Sequence, residues 1–226
     1  MTIEELSSAG FAVSAVAYER LCRFVEALLD ENRRTNLTAL RDPAVAWPLH
    51  VCDSLAFLPL LDSLAPARVV DVGTGGGVPG LPLACCRDAV QFTLIDATRK
   101  KVEAARRIAD ALALANVECV WGRAETLAGV PDHRAAYDAL TARAVAALPE
   151  LIACTAGLVR PGGRCLFAKS LAAVPRETDA AADAARRHSL VLADVRRYRL
   201  PAPHGERLIL SYEKLTANPD PAREFG

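Results

Sequence analysis

The fold of this chain is decided by the stretch Val69-Val70-Asp71-Val72-Gly73-Thr74-Gly75-Gly76-Gly77-Val78-Pro79-Gly80. Its β-branched residues are typical of a strand that is buried on both faces. The glycines that follow allow left-handed backbone angles and let a ligand approach the main chain. The stretch therefore predicts a strand, a tight turn and a helix opened by Pro79. It also places the Asp71 carboxylate at the carboxyl end of the strand, where open α/β sheets bind ligands.

Two classes of cofactor fit this turn. The pattern D-x-G-x-G-x-G, which begins at Asp71, resembles the first motif of S-adenosylmethionine-dependent methyltransferases. The segment Gly75–Gly80 also fits G-x-G-x-x-G, with Asp96 about 20 residues further on, as in a dinucleotide-binding fingerprint. A dinucleotide carries a pyrophosphate that favours a helix N-terminus, whereas a carboxylate beside the turn suits the cationic ammonium and sulfonium of S-adenosylmethionine. The turn favours a methyltransferase over an NAD-binding oxidoreductase, and both stay open at this point.

Composition narrows the class of protein. The chain has 226 residues, of which 52% are hydrophobic, and a formal net charge of zero. This is enough to bury the core of one domain with an extension. The seven cysteines include no C-x-x-C pair, and no signal peptide is evident, so we expect buried, reduced thiols in a cytoplasmic protein and no metal site. No apolar run is expected to reach membrane-spanning length, which predicts no membrane partner.

Periodicity divides the chain into three parts. Apolar side chains recur at helical spacing over residues 16–34, and a second helical stretch covers residues 44–61. These helices predict an N-terminal helical extension over residues 1–64. Residues 65–214 form the predicted cofactor-binding domain, and residues 215–226 form a polar C-terminal tail.

The central part alternates strand-like and helix-like segments, which is typical of a doubly wound sheet. The strands are predicted at residues 68–72, 91–95, 117–121, 137–141, 164–169, 190–200 and 207–213. Helices are predicted between them, at residues 80–86, 99–112, 124–127, 147–159 and 176–188. The closing strand pair resembles the antiparallel sixth and seventh strands of the methyltransferase fold, and too few residues remain for the second half of a dinucleotide fold. We therefore expect an α/β, Rossmann-like class I S-adenosylmethionine methyltransferase fold, with a seven-stranded, mostly parallel sheet whose last strand is antiparallel.

Short motifs follow one another along most of the chain. They are Asn36-Leu37-Thr38, Arg41-Asp42-Pro43, His50 with Asp53-Ser54, the loop Asp71–Gly80, Asp96-Ala97-Thr98 with Lys100-Lys101, Gly122-Arg123-Ala124-Glu125, Arg143-Ala144, Pro161-Gly162-Gly163 and Lys169. In this order the chain resembles the bacterial 16S rRNA guanine-N7 methyltransferases, the glucose-inhibited division protein B family. It departs from the family pattern at Leu49, where a basic residue is usual, at Val78, where a bulkier apolar residue is usual, and at Ser170, where glycine is usual.

The resemblance implies a set of site residues. The implied cofactor-binding residues are Asp71, Gly73, Gly75, Gly77, Val78, Asp96, Ala97, Thr98, Ala124, Glu125 and Arg143. Within this set, Asp96 is expected to accept from both ribose hydroxyls, and Ala124 and Glu125 are expected to read the adenine edge. No catalytic residue is assigned with certainty, and the candidates for positioning the substrate are Arg143, Arg123, Lys169 and Arg197.

The implied chemistry needs few reactive side chains. Guanine N7 carries a lone pair at neutral pH, so in-line positioning of N7 against the methyl group supplies most of the rate, without a general base. The implied partner is 16S rRNA, or the small ribosomal subunit in a finished or assembling state, and the enzyme is expected to act as a monomer. Short basic groups such as Lys100-Lys101 and Arg196-Arg197 with Arg199 predict local docking patches. The pair His50 and Asp53 is expected to anchor the N-terminal extension to the sheet. A methyltransferase with another acceptor is the main alternative, and an NAD-binding oxidoreductase is the second.

Overall fold

The computed structural model of the chain describes residues 1–172 and 174–216. Seven strands form one sheet in the order β3-β2-β1-β4-β5-β7-β6. All neighbouring pairs are parallel except the two that involve β7, which runs antiparallel to both β5 and β6. This confirms the predicted fold class and its antiparallel last strand. The strands are β1 Arg68–Val72, β2 Gln91–Asp96, β3 Val117–Trp121, β4 Tyr137–Arg143, β5 Val159–Ser170, β6 Leu190–Arg199 and β7 Glu206–Lys214.

Helices cover both faces of this sheet, as its apolar strands require. The helices of the N-terminal extension are α1 Ile3–Ser8, α2 Ala15–Thr35, α3 Pro43–Ala46, α4 Asp53–Leu55 and α5 Leu58–Leu64. The sheet domain adds α6 Gly80–Cys86, α7 Arg99–Ala111, α8 Ala124–Leu127, α9 Leu148–Thr155 and α10 Val174–Arg187. Alternate residues of β1 serve different cores: Val69 packs with the N-terminal helices, α6 and α7, and Val70 packs with α9 and α10. The seven cysteines are free, and four of them are buried.

The N-terminal extension shares its core with the first half of the sheet. Leu21, Phe24 and Leu28 of α2 are buried in the same cluster as Leu81 of α6 and Leu94 of β2. Burial of such side chains contributes about 1.5–3 kcal/mol each. The domain boundary predicted at residue 64 therefore stays a prediction. It divides the sequence, but the residues on its two sides do not have separate hydrophobic cores.

The predicted helix over residues 44–61 is wrong in detail. A π-helical segment, Trp47–Cys52, separates α3 from α4. Pro48 lies in this segment and has no N–H with which to continue an ordinary helical ladder. The whole stretch Pro43–Leu64 is long and apolar enough to cross a membrane by length and composition, contrary to the prediction of no such run, but 78% of the apolar window is buried inside the protein. Its apolar side chains are thus part of the core.

One strand boundary also differs from the prediction. Strand β5 begins at Val159, five residues before the predicted start at residue 164, and the pairing with β4 shifts register there. A side chain at Gly163 would place its Cβ 2.7 Å from the carbonyl oxygen of Asp138, so glycine lets the two backbones pass through this irregularity. Of the predicted polar tail, only residues 215 and 216 lie within the described residues.

Candidate functional site

The glycine loop joins β1 to α6 at the carboxyl edge of the sheet, the edge at which the parallel strands end. Gly73 and Gly77 have φ angles of +69° and +87°, which side chains other than glycine rarely tolerate. A Cβ atom at Gly73 would lie 2.5 Å from Cγ2 of Val145, and one at Gly77 would lie 2.2 Å from Cδ1 of Leu81. The loop therefore needs glycine at both positions for space as well as for conformation.

Asp71 lies beneath this loop and not in a cavity. Its Oδ2 accepts hydrogen bonds from Thr74 Oγ1 at 2.6 Å and from the Gly80 amide at 3.0 Å, and its Oδ1 accepts from Thr141 Oγ1 at 3.0 Å. Burial raises the pKa of Asp71 to about 6, and the three hydrogen bonds oppose that rise. The carboxylate is thus buried and committed to holding the loop, and the expectation that Asp71 contacts the cofactor stays a prediction.

Asp96 lies at the end of β2, above the loop. Its Oδ2 accepts from the Gly75 amide at 3.0 Å, and its Oδ1 accepts from the Thr98 amide at 2.8 Å. A carboxylate has about four acceptor sites, so lone pairs remain for a ligand. A cavity of about 200 Å³, the Asp96 cavity, is lined by residues that include Val72, Gly73, Asp96, Ala97, Gly122, Arg123, Ala124, Glu125 and Val145. The structure thus brings together the predicted ribose and adenine residues, while Thr98 and Gly77 are not part of the lining.

Two further cavities continue along the same edge. The glycine-loop cavity, about 140 Å³, is lined by Leu28, Leu37, Thr38, His50, Gly73, Thr74, Gly75, Gly76, Val78, Arg143 and Ala144. The Arg207 cavity, about 420 Å³, is lined by Leu40, Leu49, His50, Asp53, Arg143, Ala144, Ala168, Lys169, Ser170 and Arg207. The Asp96 cavity shares Gly73 with the glycine-loop cavity, and the glycine-loop cavity shares Arg143 with the Arg207 cavity. The three cavities therefore follow one another from β3 to β7.

Arg143 joins the N-terminal extension to the end of β4. Its Nη1 donates to Asp53 Oδ2 at 2.6 Å and to the carbonyl of Leu49, and its Nη2 donates to Nδ1 of His50 at 3.1 Å. The side chain is 15% exposed. The predicted anchoring role of His50 and Asp53 is consistent with this arrangement, in which both contact Arg143.

Two residues that sequence reasoning did not single out complete this cluster. The hydroxyl of Tyr198 donates to Asp53 Oδ1 at 2.5 Å, and Nε of Arg207 lies 3.5 Å from the same oxygen. Burial and the neighbouring Asp53 carboxylate raise the pKa of Tyr198, which keeps its hydroxyl a donor. The Arg143 cluster, namely Arg143, His50, Asp53, Tyr198 and Arg207, thus connects the extension with β4, β6 and β7. The available signals were an aromatic residue within a basic strand and an arginine before the apolar run of β7.

His50 is neutral within this cluster. A guanidinium can only donate, so Nδ1 of His50 accepts from Arg143. The ring proton is then assigned to Nε2, which donates to Thr38 Oγ1 at 3.1 Å. Burial, followed by the positive charge of Arg143, lowers the pKa of His50 to about 4. His50 therefore positions the Arg143 guanidinium and holds no free basic nitrogen.

This lowered pKa predicts an acid-sensitive contribution to stability. The folded-state pKa lies below that of the unfolded chain, so the contribution is complete above pH 6.5 and is lost as the pH falls toward 4. Relative to His50→Gln, the wild-type protein is expected to lose about 2–3 kcal/mol over this interval. Urea unfolding at a series of pH values measures the difference, and Asp71 titrates equally in both proteins. Parallel curves for the two proteins would contradict the assignment.

Lys169 lines the Arg207 cavity, yet its ammonium is largely occupied. Its Nζ donates to the carbonyl of Ala146 at 2.6 Å and lies 3.1 Å from Oε2 of Glu177. The same Glu177 oxygen accepts from the Leu148 amide at 2.6 Å. An ammonium has three donors, so at most one remains for a ligand. The predicted positioning role stays a prediction, and the contacts add a second role, which is to hold the loop that carries Val145 over Gly73.

The two other predicted positioning arginines lie apart from each other. Arg123 lines the Asp96 cavity and is 73% exposed, with a loose pair to Glu125 at 3.7 Å. Arg197 lies on β6 and pairs with Glu206 at 3.7 Å, and it lines a groove beside Phe11 and Arg87 instead of any of the three cavities. Arg197 is therefore not brought together with the other candidates, and its role in positioning the substrate stays a prediction. Among the described residues, no group of three His, Cys, Asp or Glu side chains is arranged to hold a metal ion.

Comparison with protein families gives a match over most of the chain. A family model described as rRNA small subunit methyltransferase G (GidB) matches residues 17–199. A relative from Sorangium cellulosum, named ribosomal RNA small subunit methyltransferase G, is 44% identical over 167 residues, which cover 74% of this chain and 70% of the relative. A relative of the same name from Deinococcus deserti is 43% identical over 199 residues, which cover 87% of this chain and 81% of the relative.

Solved structures agree with the fold. An O-methyltransferase from Bacillus cereus, solved in complex with SAH, superposes with a TM-score of 0.59 and covers 94% of this chain and 96% of its own. Its sequence is 15% identical, so the likeness concerns the fold alone. The strand order of the sheet and the comparison with solved structures both support a class I methyltransferase fold.

Proposed function

The chain belongs to the rRNA small subunit methyltransferase G (GidB) family, and from this membership we propose that it methylates N7 of a guanine in 16S rRNA with S-adenosylmethionine as the donor. The observation that carries the proposal is the row of three cavities along the carboxyl edge. A donor that extends from Asp96 across the glycine loop would reach the Arg207 cavity, where an acceptor base has room. Such an alignment of donor and acceptor is what direct transfer requires.

The residues of the first two cavities fit the cofactor. The remaining lone pairs of Asp96 suit a ribose diol, and Ala124 and Glu125 lie in the same cavity for the adenine edge. The backbone of the glycine loop, with Val78, lines the space for the methionine part. When bound, S-adenosylmethionine supplies an activated methyl group on a positively charged sulfur. We propose that Asp71 acts on this site indirectly, through the shape of the loop.

The third cavity suits an acceptor that needs no deprotonation. Nδ1 of His50 already accepts from Arg143, and both oxygens of Asp53 already accept hydrogen bonds. These groups hold one another in place and are poor candidates for a general base. Guanine N7 has its own lone pair, so the cluster's task is to orient the base and the RNA backbone. Arg143, Lys169 and Arg207 bring positive charge to the cavity, which suits a polyanionic substrate.

A methyl-transfer assay tests the proposed function. Small ribosomal subunits and naked 16S rRNA, both from a bacterial strain that lacks this enzyme, are incubated with the protein and labelled S-adenosylmethionine. We expect label in 16S rRNA, and borohydride and aniline cleavage followed by reverse transcription should locate one N7-methylated guanine. Label in 23S rRNA, in tRNA or in a small molecule would overturn the acceptor assignment. Calorimetric binding of NAD without binding of S-adenosylmethionine would overturn the methyltransferase itself.

The same assay addresses the setting of the reaction. We propose that the enzyme acts in the bacterial cytoplasm as a monomer, and the comparison of naked rRNA with subunits shows which form it accepts. Residues 1–64, as the proposed N-terminal extension, contribute Leu37, Thr38, His50 and Asp53 to the cavities. The extension is therefore proposed to be part of the site and not a separate module.

Two substitutions in the first cavity are expected to weaken cofactor binding. Asp96→Ala and Glu125→Ala should each cost about 1–3 kcal/mol of binding free energy, because each leaves polar partners unpaired. Asp96 is the more buried of the two and also holds the Gly75 amide, so its effect should be the larger. Isothermal titration with S-adenosylmethionine measures both, with Glu118→Ala, a residue outside the three cavities, as the control. Wild-type affinity for S-adenosylmethionine in both variants would show that the cofactor does not bind in the Asp96 cavity.

A further inference from the structure

An exposed tryptophan stands at the carboxyl end of the edge strand β3. Trp121 is 59% exposed, whereas the other tryptophan, Trp47, is buried and stacks on Tyr18 with ring centroids 5.8 Å apart. The indole Nε1 of Trp121 donates to the carbonyl of Ala97 at 3.1 Å. This bond fixes the orientation of the ring, and Ala97 lines the Asp96 cavity. A large flat surface is thus held beside the proposed cofactor site without being part of its lining.

One positive side chain lies over this ring, and three others are close to Arg99 or Trp121 in the sequence. The guanidinium carbon of Arg99 lies 5.7 Å from the ring centroid, and Arg123 follows two residues after the tryptophan. Lys100 and Lys101 occupy the first turn of α7 and have no carboxylate within 4 Å in residues 1–172 and 174–216. Cations at this end of a helix oppose its dipole and destabilise it slightly. Their presence therefore favours a role outside the fold.

Two carboxylates reduce this charge only in part. Glu103 pairs with Arg99 at 2.9 Å, and Glu125 pairs with Arg123 at 3.7 Å. Lys100 and Lys101 stay unneutralised, so the surface keeps a positive excess. Because both paired arginines are largely exposed, their ion pairs are weak and can exchange for phosphate contacts.

A flat aromatic ring among cations matches the chemistry of a single-stranded nucleotide. Unstacked bases of RNA loops stack on aromatic side chains, and the flanking phosphates are bound by arginine and lysine. The adenosine end of S-adenosylmethionine carries no phosphate, so the cations would gain nothing from it. The charge pattern therefore favours RNA over the cofactor as the occupant of this surface.

We propose that Trp121 is a stacking platform for an unpaired nucleotide of the rRNA substrate, with Arg99, Lys100 and Arg123 binding the adjoining phosphates. The inference rests on the proposed function and extends it. It adds a contact surface beyond the three cavities, on the β3 side of the cofactor site. The RNA would then be held on both sides of the bound cofactor, by the Arg207 cavity on one side and by this platform on the other.

Steady-state methylation by Trp121 variants tests the platform. Trp121→Ala is expected to raise the KM for small-subunit rRNA about tenfold and to leave the dissociation constant of S-adenosylmethionine, measured by calorimetry, unchanged. Trp121→Tyr keeps an aromatic face and should stay within about threefold of wild type. Val16→Ala, at another exposed apolar position on α2, is the matched control and should change neither value.

The possible results separate the readings of this surface. An unchanged KM for rRNA in Trp121→Ala overturns the proposal. Weaker binding of S-adenosylmethionine with an unchanged KM for rRNA also overturns it, because the ring would then belong to the cofactor pocket. In Lys100→Ala, the slope of log affinity against log salt concentration should fall by about 0.7, as expected for one lost phosphate contact with a single strand. An unchanged slope would remove Lys100 from the contact.

A binding readout keeps this inference distinct from the proposed methylation. In Trp47→Phe, whose folding is checked by circular dichroism, Trp121 is the sole source of tryptophan fluorescence. Adding an rRNA fragment that contains unpaired loops should quench this fluorescence, and a fully paired duplex of equal length should quench it much less. Quenching without any methyl transfer would uphold the platform and refute the proposed function. Methyl transfer without quenching would uphold the proposed function and refute the platform.

Discussion

Replacing Asp71 with alanine is expected to lower the free energy of unfolding by about 3–5 kcal/mol and to abolish cofactor binding. The substitution leaves three buried donors without a partner, the hydroxyls of Thr74 and Thr141 and the amide of Gly80. Each unsatisfied group costs about 1–3 kcal/mol, and partial relaxation of the loop recovers some of this. Urea unfolding followed by circular dichroism measures the stability, and calorimetry measures the binding of S-adenosylmethionine.

Milder changes at the same place show which contacts matter. Asp71→Asn keeps the volume and one acceptor oxygen, so about half of the loss is expected. Thr141→Val removes one donor with little change in shape and should cost about 1 kcal/mol. If Asp71→Ala instead unfolds at the wild-type urea concentration, the loop must be held by its own packing against Val145 and Leu81.

Arg143→Ala is expected to reduce methyl transfer about a hundredfold or more, with a change of less than about fivefold in cofactor affinity. The guanidinium ties β4 to Leu49, His50 and Asp53, and it lines both the glycine-loop cavity and the Arg207 cavity. Its loss leaves the Asp53 carboxylate buried with weaker neutralisation, which also lowers stability. Single-turnover methylation of small subunits measures transfer, and calorimetry measures cofactor affinity.

A conservative variant separates positioning from folding. Arg143→Lys keeps the charge beside Asp53, so its stability should lie closer to wild type than that of Arg143→Ala. It cannot reach all three partners at once, so methyl transfer should stay strongly reduced. Equal losses of transfer and cofactor affinity in both variants would place Arg143 in the cofactor pocket alone. Wild-type transfer in Arg143→Lys would show that charge, and not the fixed fork geometry, is what the site uses.

Local pattern was enough to predict the region that we propose for the cofactor. β-branched runs, the glycine turn and an acidic residue at the next strand end predicted the region around Gly73 and Asp96. The same pattern could not show where the Asp71 carboxylate points, because a strand buried on both faces gives no alternation to read. The short helix α1 could have been found, since Thr2 and Glu5 form a capping box.

Contacts between residues far apart in the chain could not be predicted from the sequence. Tyr198 bonds to Asp53 across 145 positions, and although it is an aromatic residue within a basic strand, nothing local to β6 indicates which residue it contacts. Arg197, one position earlier, is a substrate candidate because of its charge, yet it pairs with Glu206 and lines the groove beside Phe11 and Arg87. The only sequence signal for the π-helical segment Trp47–Cys52 was Pro48, and the surrounding apolar residues still follow a helical spacing.

The bonds from Asp53 to β6 and β7 bear on how the enzyme matures as it is made. Translation delivers the amino-terminal helices and the glycine loop first, while Tyr198 and Arg207 are added near the end. Until then, the nascent polypeptide carries an acidic group whose late partners do not yet exist. A ribosome-stalled chain that ends before residue 198 would thus have the strands at the proposed donor site but an incomplete Arg207 cavity, so we expect methylation of rRNA only after β6 and β7 have been made.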